Sequence, residues 1–233
     1  MEADLAFVAG LMAEPNRARM LQVLLGGTPQ SGTALADAAG ISRALASAHL
    51  KKLVAGGLVT ARPHGRTRLY ALASEPVATA IETLTTIAPP AAAARSLNGA
   101  TRARNLRWAR MCYDHLAGVV GVAVAETLLA RSALREADDG WTLGSGQVFA
   151  EIGIDTDALR HNRRPFARAC MDWTERRHHL AGSAGAAVAD VLTRQGWVRR
   201  QDGSRIVTIT QDGTDGLRDW LGLDLAELRR SVA

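Results

Sequence analysis

Two cysteines and a few histidines carry most of the metal and redox chemistry available to this chain of 233 residues. One stretch reads Trp108-Ala109-Arg110-Met111-Cys112-Tyr113-Asp114-His115, and another reads Cys170-Met171-Asp172-Trp173-Thr174-Glu175-Arg176-Arg177-His178-His179. Each cysteine therefore precedes a histidine at short range. Thiolate sulfur and imidazole nitrogen are ligands that suit a soft or borderline ion such as zinc. Cys112, His115, Cys170 and His179 are the candidate metal ligands, although their spacing matches no zinc-finger signature. Read as helix, Cys112 and His115 lie three apart on one face, and Glu175 sits four before His179, where it could orient the ring. Two other chemistries use the same region. Cys112 and Cys170 could form a thiol switch, with thiolates favoured by Arg110 or Arg168. The leading expectation is instead a pocket between the duplicated units, lined by Trp108, Cys112, Tyr113, His115, Phe166, Cys170, Trp173 and His179 with neighbouring arginines, for an anionic or aromatic small-molecule effector. In the plainest reading the cysteines are small buried hydrophobes and the histidines satisfied core residues.

The positioning elements are visible as an internal repeat. The fourteen residues from His115 to Leu128 recur sixty-four positions on, from His179 to Leu192, with nine identical. Leu134-Arg135 answers Val198-Arg199, and Asp138 answers Asp202. Each copy, about 115–153 and 179–217, reads as a helix, a strand, a tight polar turn and a second strand. In the second copy these are Gly182 to Arg194, Trp197 to Arg200, Asp202-Gly203-Ser204 and Arg205 to Thr210. Ala117, Gly118 and Gly121, with Ala181, Gly182 and Gly185, put small residues where two backbones can approach closely. Pseudo-symmetry would bring His115 and His179 toward one shared pocket.

The first third has a different pattern. Ser31 to Ala39 suits a short helix, Gly40 a turn, and Ser42 the N-cap of a second helix on which Leu45, His49 or Leu50, and Leu53 fall at packing intervals. Gly56-Gly57 ends that helix. Leu58 to Arg62 and Thr67 to Leu72 make two strands around Pro63-His64-Gly65-Arg66. This is a winged helix-turn-helix, whose second helix presents its N-terminal residues to a DNA major groove. Ser42, Arg43, Ser47, Lys51 and Lys52 on the helix, and Arg62, Arg66 and Arg68 on the wing, are the candidate DNA contacts. Residues 5 to 85 resemble the ArsR family of bacterial winged-helix repressors. The resemblance is carried by Asn16-Arg17-Ala18-Arg19-Met20-Leu21, by Leu35 to Ser42, and by His49-Leu50 with Leu53 through Tyr70 and Leu72. It implies a homodimer on a double-stranded DNA operator, released by a metal, an oxidant or a small-molecule effector. The cysteines that family members carry before the recognition helix are missing from Thr33 to Ala39, and Glu75 to Ile87 has no histidine.

Composition sets the frame. The hydrophobic fraction of 47% supports two cores. Net charge is +2 over 1–88, +4 over 89–137 and −1 over 138–233, which sums to +5. Excess cation thus sits just after the first third, where Arg102, Arg104, Arg107 and Arg110 could also reach DNA. No apolar run reaches membrane-spanning length and the start lacks a signal-peptide pattern, so a cytoplasmic protein is expected. No nucleophile elbow or phosphate-binding glycine loop is present, which argues against an enzyme. The expected fold class is α+β, mainly helical. A winged helix-turn-helix over 1–88 is followed by a proline- and alanine-rich linker over 89–100. A sensing domain of two helix-hairpin, winged-helix-like units then fills 101–233.

Overall fold

Local capping starts the first four helices. The side chains of Asp4, Glu14, Ser31 and Ser42 each accept the backbone N–H three residues on, from Phe7, Arg17, Ala34 and Leu45. These caps open α1 (Leu5–Ala13), α2 (Pro15–Leu24), α3 (Gly32–Ala39) and α4 (Arg43–Ala55). The computed structural model describes residues 3–89, 97–138, 140–161, 163–201 and 204–231. It divides into two units, 1–85 with 201–205 and 86–200 with 206–233.

In the first unit α2, α3 and α4 pack together around buried Met20, Leu21, Leu24, Leu35, Leu50 and Leu53. Gly40 takes the left-handed conformation after α3, at φ +68°, which makes the turn between α3 and α4. β1 (Gln30–Ser31), β2 (Val59–His64) and β3 (Thr67–Leu72) form an antiparallel sheet in the order β1-β3-β2. The pairing of His64 with Thr67 leaves Gly65-Arg66 as the wing tip. This is the expected winged helix-turn-helix with one strand added, because Gln30 and Ser31 pair with Tyr70 and Leu69. Leu45 departs from expectation. It is 45% exposed, and Ala46 takes the inward position with Leu50 and Leu53, a spacing of four and three that keeps one face of α4 inside. α5 (Glu75–Ile87) follows.

In the second unit α6 (Leu97–Trp108) begins inside the stretch expected as linker, whose residues 90–96 lie outside the described residues. There follow β4 (Arg110–Cys112), β5 (His115–Ala117), α7 (Gly118–Ala130), β6 (Leu134–Ala137), β7 (Gly140–Leu143) and α8 (Gln147–Ala150). After α9 (Thr156–Arg160) the same order returns as β8 (Arg168–Met171), β9 (His178–Ala181), α10 (Gly182–Arg194), β10 (Val198–Arg200), β11 (Val207–Ile209) and α11 (Gln211–Leu221), ahead of α12 (Leu225–Ser231). The offset of sixty-four holds at Gly118 and Gly182 and again at Gln147 and Gln211. Each copy thus has a hairpin before its helix as well as after it. Of the polar turn expected in the second copy, Asp202 and Gly203 lie outside the described residues.

The two copies interlock. α7 packs on β9, α10 packs on β5, and β5 meets β9. Single bridges join Arg110 to Ile206 and Trp141 to Ala167, so each copy's first hairpin is tied to strand residues near the second hairpin of the other. Glycine lets each long helix start close against the segment that precedes its own hairpin. Gly118 and Gly182 have φ of +81° and +83°, and a Cβ on Gly182 would stand 2.7 Å from the Pro165 carbonyl oxygen. One apolar core, with Val120, Leu128, Phe149, Val188, Leu192 and Trp220, fills the unit.

Candidate functional site

Both cysteine and histidine pairs sit in hairpins. Cys112 on β4 is the direct partner of His115 on β5, and Cys170 on β8 is the direct partner of His179 on β9. The helical placement expected from sequence is therefore corrected. Directly paired residues point to the same side of a two-stranded ribbon, so each hairpin offers one thiol and one imidazole together. A two-residue turn, with Tyr113 at φ +62°, closes the first hairpin. Because each hairpin packs against the other copy's helix, the two ribbons face one another. One ligand atom from each of Cys112, His115, Cys170 and His179 then lies within 4.8 Å of all the others. The two Nε2 atoms of His115 and His179 are 3.2 Å apart, with the rings stacked at 5.0 Å. His115, His179 and Cys112 are buried, and Cys170 is partly exposed.

Carboxylates stand behind both rings. His115 Nδ1 is 3.2 Å from Asp114 Oδ1, and His179 Nδ1 is 3.4 Å from Asp172 Oδ2. The expectation that Glu175 orients His179 is overturned. Glu175 pairs instead with Arg107 at 2.9 Å, because residues 172–177 form the loop between β8 and β9 rather than a helix. Asp172 is a hub for the whole cluster. Its Oδ2 accepts from the Gly118 N–H at 2.7 Å and lies 2.8 Å from Arg110 Nη2, while Oδ1 accepts from the N–H groups of Thr174 and Glu175 and from the Thr174 hydroxyl. Burial alone would raise the Asp172 pKa, but the Arg110 guanidinium and these donors hold it far below the usual carboxylate range. Arg110 is fully buried and stacks over Trp173 at 4.7 Å, so it is not among the DNA contacts.

The same surroundings tune the ligands. Burial pushes the His179 pKa down, and that outweighs the pull of Cys170 and Asp172. Hydrogen bonding with Cys112, and with both histidines, holds the Cys170 thiol far below the usual thiol range against the opposing effect of burial. A thiol held toward thiolate beside an imidazole held toward its neutral form is what a cation needs. Asp114 and Asp172 were missed as functional residues in the sequence. The available signal was position, since Asp114 directly precedes His115 and Asp172 follows Cys170 by two.

The aromatic residues expected to share that pocket are dispersed. Trp108 packs under Arg229 at 4.5 Å, Trp173 under Arg110, and Tyr113 occupies its hairpin turn. Phe166 lines a separate cleft of about 560 Å³ with Trp141, Arg160 and Arg168. They diverge because β-hairpins, not continuous helices, carry the flanking sequence.

In the first unit Ser42, Arg43, Ser47, Lys51, Lys52, Arg62, Arg66 and Arg68 are all exposed. Arg43 and Ser47 from the start of α4, together with Arg68 from the wing, line one groove with Ser31, Thr33 and Thr67. Ser42 spends its hydroxyl on the helix cap. Among the described residues no helix is long and apolar enough to cross a membrane.

Comparison with known proteins matches residues 12–62 to a helix-turn-helix domain family. The HTH-type transcriptional regulator YdfF of Bacillus subtilis (strain 168) is 38% identical over 91% of this chain and 95% of its own length. Among solved structures, HlyU from Vibrio cholerae N16961 is 32% identical, covering 36% of this chain and 94% of its own, with a TM-score of 0.34. The cadmium metal-sensor CMTR from Mycobacterium tuberculosis is 34% identical over 40% of this chain and all of its own, with a TM-score of 0.31.

Proposed function

Because this chain belongs to the HTH-type transcriptional regulators, we propose that it binds an operator as a dimer, with an affinity set by the state of its buried cysteine–histidine cluster. α4 would enter the major groove, and the wing arginines would follow the phosphate backbone. The dimer reading draws on exposed apolar side chains, Leu5 and Phe7 on α1 and Leu84 and Ile87 on α5. Two recognition helices must meet half-sites about 34 Å apart, so a change in the sensing unit that alters their spacing weakens binding. The observation that carries the control site is convergence. Four ligand atoms, one thiol and one imidazole from each repeat, meet within 4.8 Å at the junction of the two copies.

The test begins with duplexes enriched from a random-sequence pool by the full-length protein. Operator affinity is then measured for chelator-treated, zinc-treated and peroxide-treated wild type, and for Cys170→Ala and His179→Ala. A tenfold or larger change across these states is expected. Equal affinity in all of them overturns control by the cluster.

A second reading is favoured by the cleft beside Phe166, where two arginines and an indole could hold an aromatic carboxylate. An operator affinity that responds to such compounds in Cys170→Ala as it does in wild type would select that reading.

A further inference from the structure

We infer that the cluster is a closed tetrahedral site for one thiophilic divalent ion of the zinc class, held by Cys112 Sγ, His115 Nε2, Cys170 Sγ and His179 Nε2 where the two hairpins meet. The inference deepens the proposed reading by naming the occupant, and rests on it only for the regulatory consequence.

The first argument is protonation. Carboxylate oxygens only accept, so Asp114 draws the ring proton of His115 to Nδ1, and Asp172 stands 3.4 Å from Nδ1 of His179. His115 Nε2 then presents a lone pair to His179 Nε2 across 3.2 Å. A cation between them takes both nitrogens as ligands once the His179 proton lies on Nδ1, on the side of Asp172. Carboxylates behind both rings are the usual support of a histidine metal ligand.

The second argument is size. Zinc bonds of about 2.0–2.1 Å to nitrogen and about 2.3 Å to sulfur imply tetrahedral edges of about 3.3 Å between nitrogens and about 3.8 Å between sulfurs. The observed N–N separation is 3.2 Å, and every ligand pair falls within 4.8 Å. Slight contraction about an ion completes the tetrahedron.

Charge and hardness select the ion. Bound as thiolates, the two cysteines offset the charge of one dication and give a neutral centre, and any thiol proton still present leaves as the ion enters. A neutral centre is compatible with burial, whereas an isolated dication is not. Hard ions such as magnesium want oxygen ligands, and the Asp172 oxygens are already occupied by Arg110, Gly118, Thr174 and Glu175. Four protein ligands leave no open position for a reacting water, which marks a structural or sensing site rather than a catalytic one. The glycine at 185 belongs to this design. A Cβ there would stand 2.3 Å from the Leu180 carbonyl oxygen and 3.2 Å from His115 Cβ.

The experiment uses full-length protein, reduced and stripped with chelator, titrated with cobalt(II) and without DNA. One equivalent per chain is expected to give the visible bands of four-coordinate cobalt with thiolate-to-metal charge transfer. Zinc should bleach them stoichiometrically, and excess magnesium should not. Asp114→Asn should keep the spectrum while weakening affinity about 10- to 100-fold. The double variant Cys112→Ala/Cys170→Ala should lose the charge-transfer band. If that variant does not fold, native mass spectrometry of wild type with zinc must show one zinc per chain, lost on acid denaturation. A six-coordinate spectrum, no bound ion, or unchanged binding without the cysteines overturns the inference. Ion binding with indifferent operator affinity leaves this inference standing and sinks the control reading alone.

Discussion

At the scale of single residues, the charged pair beneath the site matters more than the many on the surface. Arg110 and Asp172 are both fully buried at 2.8 Å. Removing one partner of such a pair leaves an uncompensated buried charge, so Arg110→Ala is expected to lose about 3–5 kcal/mol in urea denaturation. The exposed pair of Arg194 with Asp190 on α10 should by comparison be worth under about 0.5 kcal/mol. The sign with pH follows. The folded pKa of Asp172 is depressed, so its contribution is complete above the ordinary carboxylate range and is lost as pH falls through the folded value. Asp172→Asn should flatten the acid limb of the stability curve, and an unchanged limb would assign acid sensitivity elsewhere.

At the scale of elements, the wing and α4 divide the work of reading DNA. Each wing arginine that meets a phosphate releases counterions, so Arg62→Ala, Arg66→Ala and Arg68→Ala should each lower the slope of log affinity against log salt by about 1. Arg43 lies at the first turn of α4, in the groove shared with Ser47 and Arg68. Arg43→Ala should change which duplexes are enriched, while wing variants weaken all duplexes alike. An unaltered salt slope in the wing variants would remove the wing from the interface. The hairpins of the second unit teach a related point. A helix carrying Cys112 and His115 would also have set them on one face, but only strand pairing lets each cysteine share its ribbon with a histidine and still meet the other copy.

At the scale of the whole molecule, assembly and occupancy are separable. The apolar side chains left outside on α1 and α5 predict that Phe7→Glu with Leu84→Glu converts a dimer to monomers in sedimentation equilibrium and lowers operator affinity. Wild-type protein sedimenting as a monomer at the same concentration would end the dimeric reading. Occupancy acts through linkage. Free zinc a hundredfold above its dissociation constant stabilises the folded form by about 2.7 kcal/mol. Chelated and zinc-loaded protein should therefore differ in Tm by a few degrees, and identical melting would count against a bound ion.

The local signals were enough for the winged helix. The serine caps at 31 and 42, the left-handed Gly40, the glycines after α4 and the alternation through the wing act over a few residues, so their consequences are readable in order along the chain. Even there Leu45 faced outward, because which face of α4 is inside depends on what α2 and α3 bring to it. The repeat was also legible, since identity at a fixed offset needs no fold; it relates His115 to His179, whereas Cys112 and Cys170 lie off that register and were legible only as cysteines shortly before a histidine. Their conformation was not. Runs as short as Arg110–Cys112 fit helix or strand equally well, and pairing with His115–Ala117 becomes favourable only once α10 covers β5 and α7 covers β9. The choice of Asp172 over Glu175 has the same origin. A carboxylate's partner is fixed by where a loop closes and by the guanidinium that arrives from sixty-two residues away, and those contacts exist only in the packed unit.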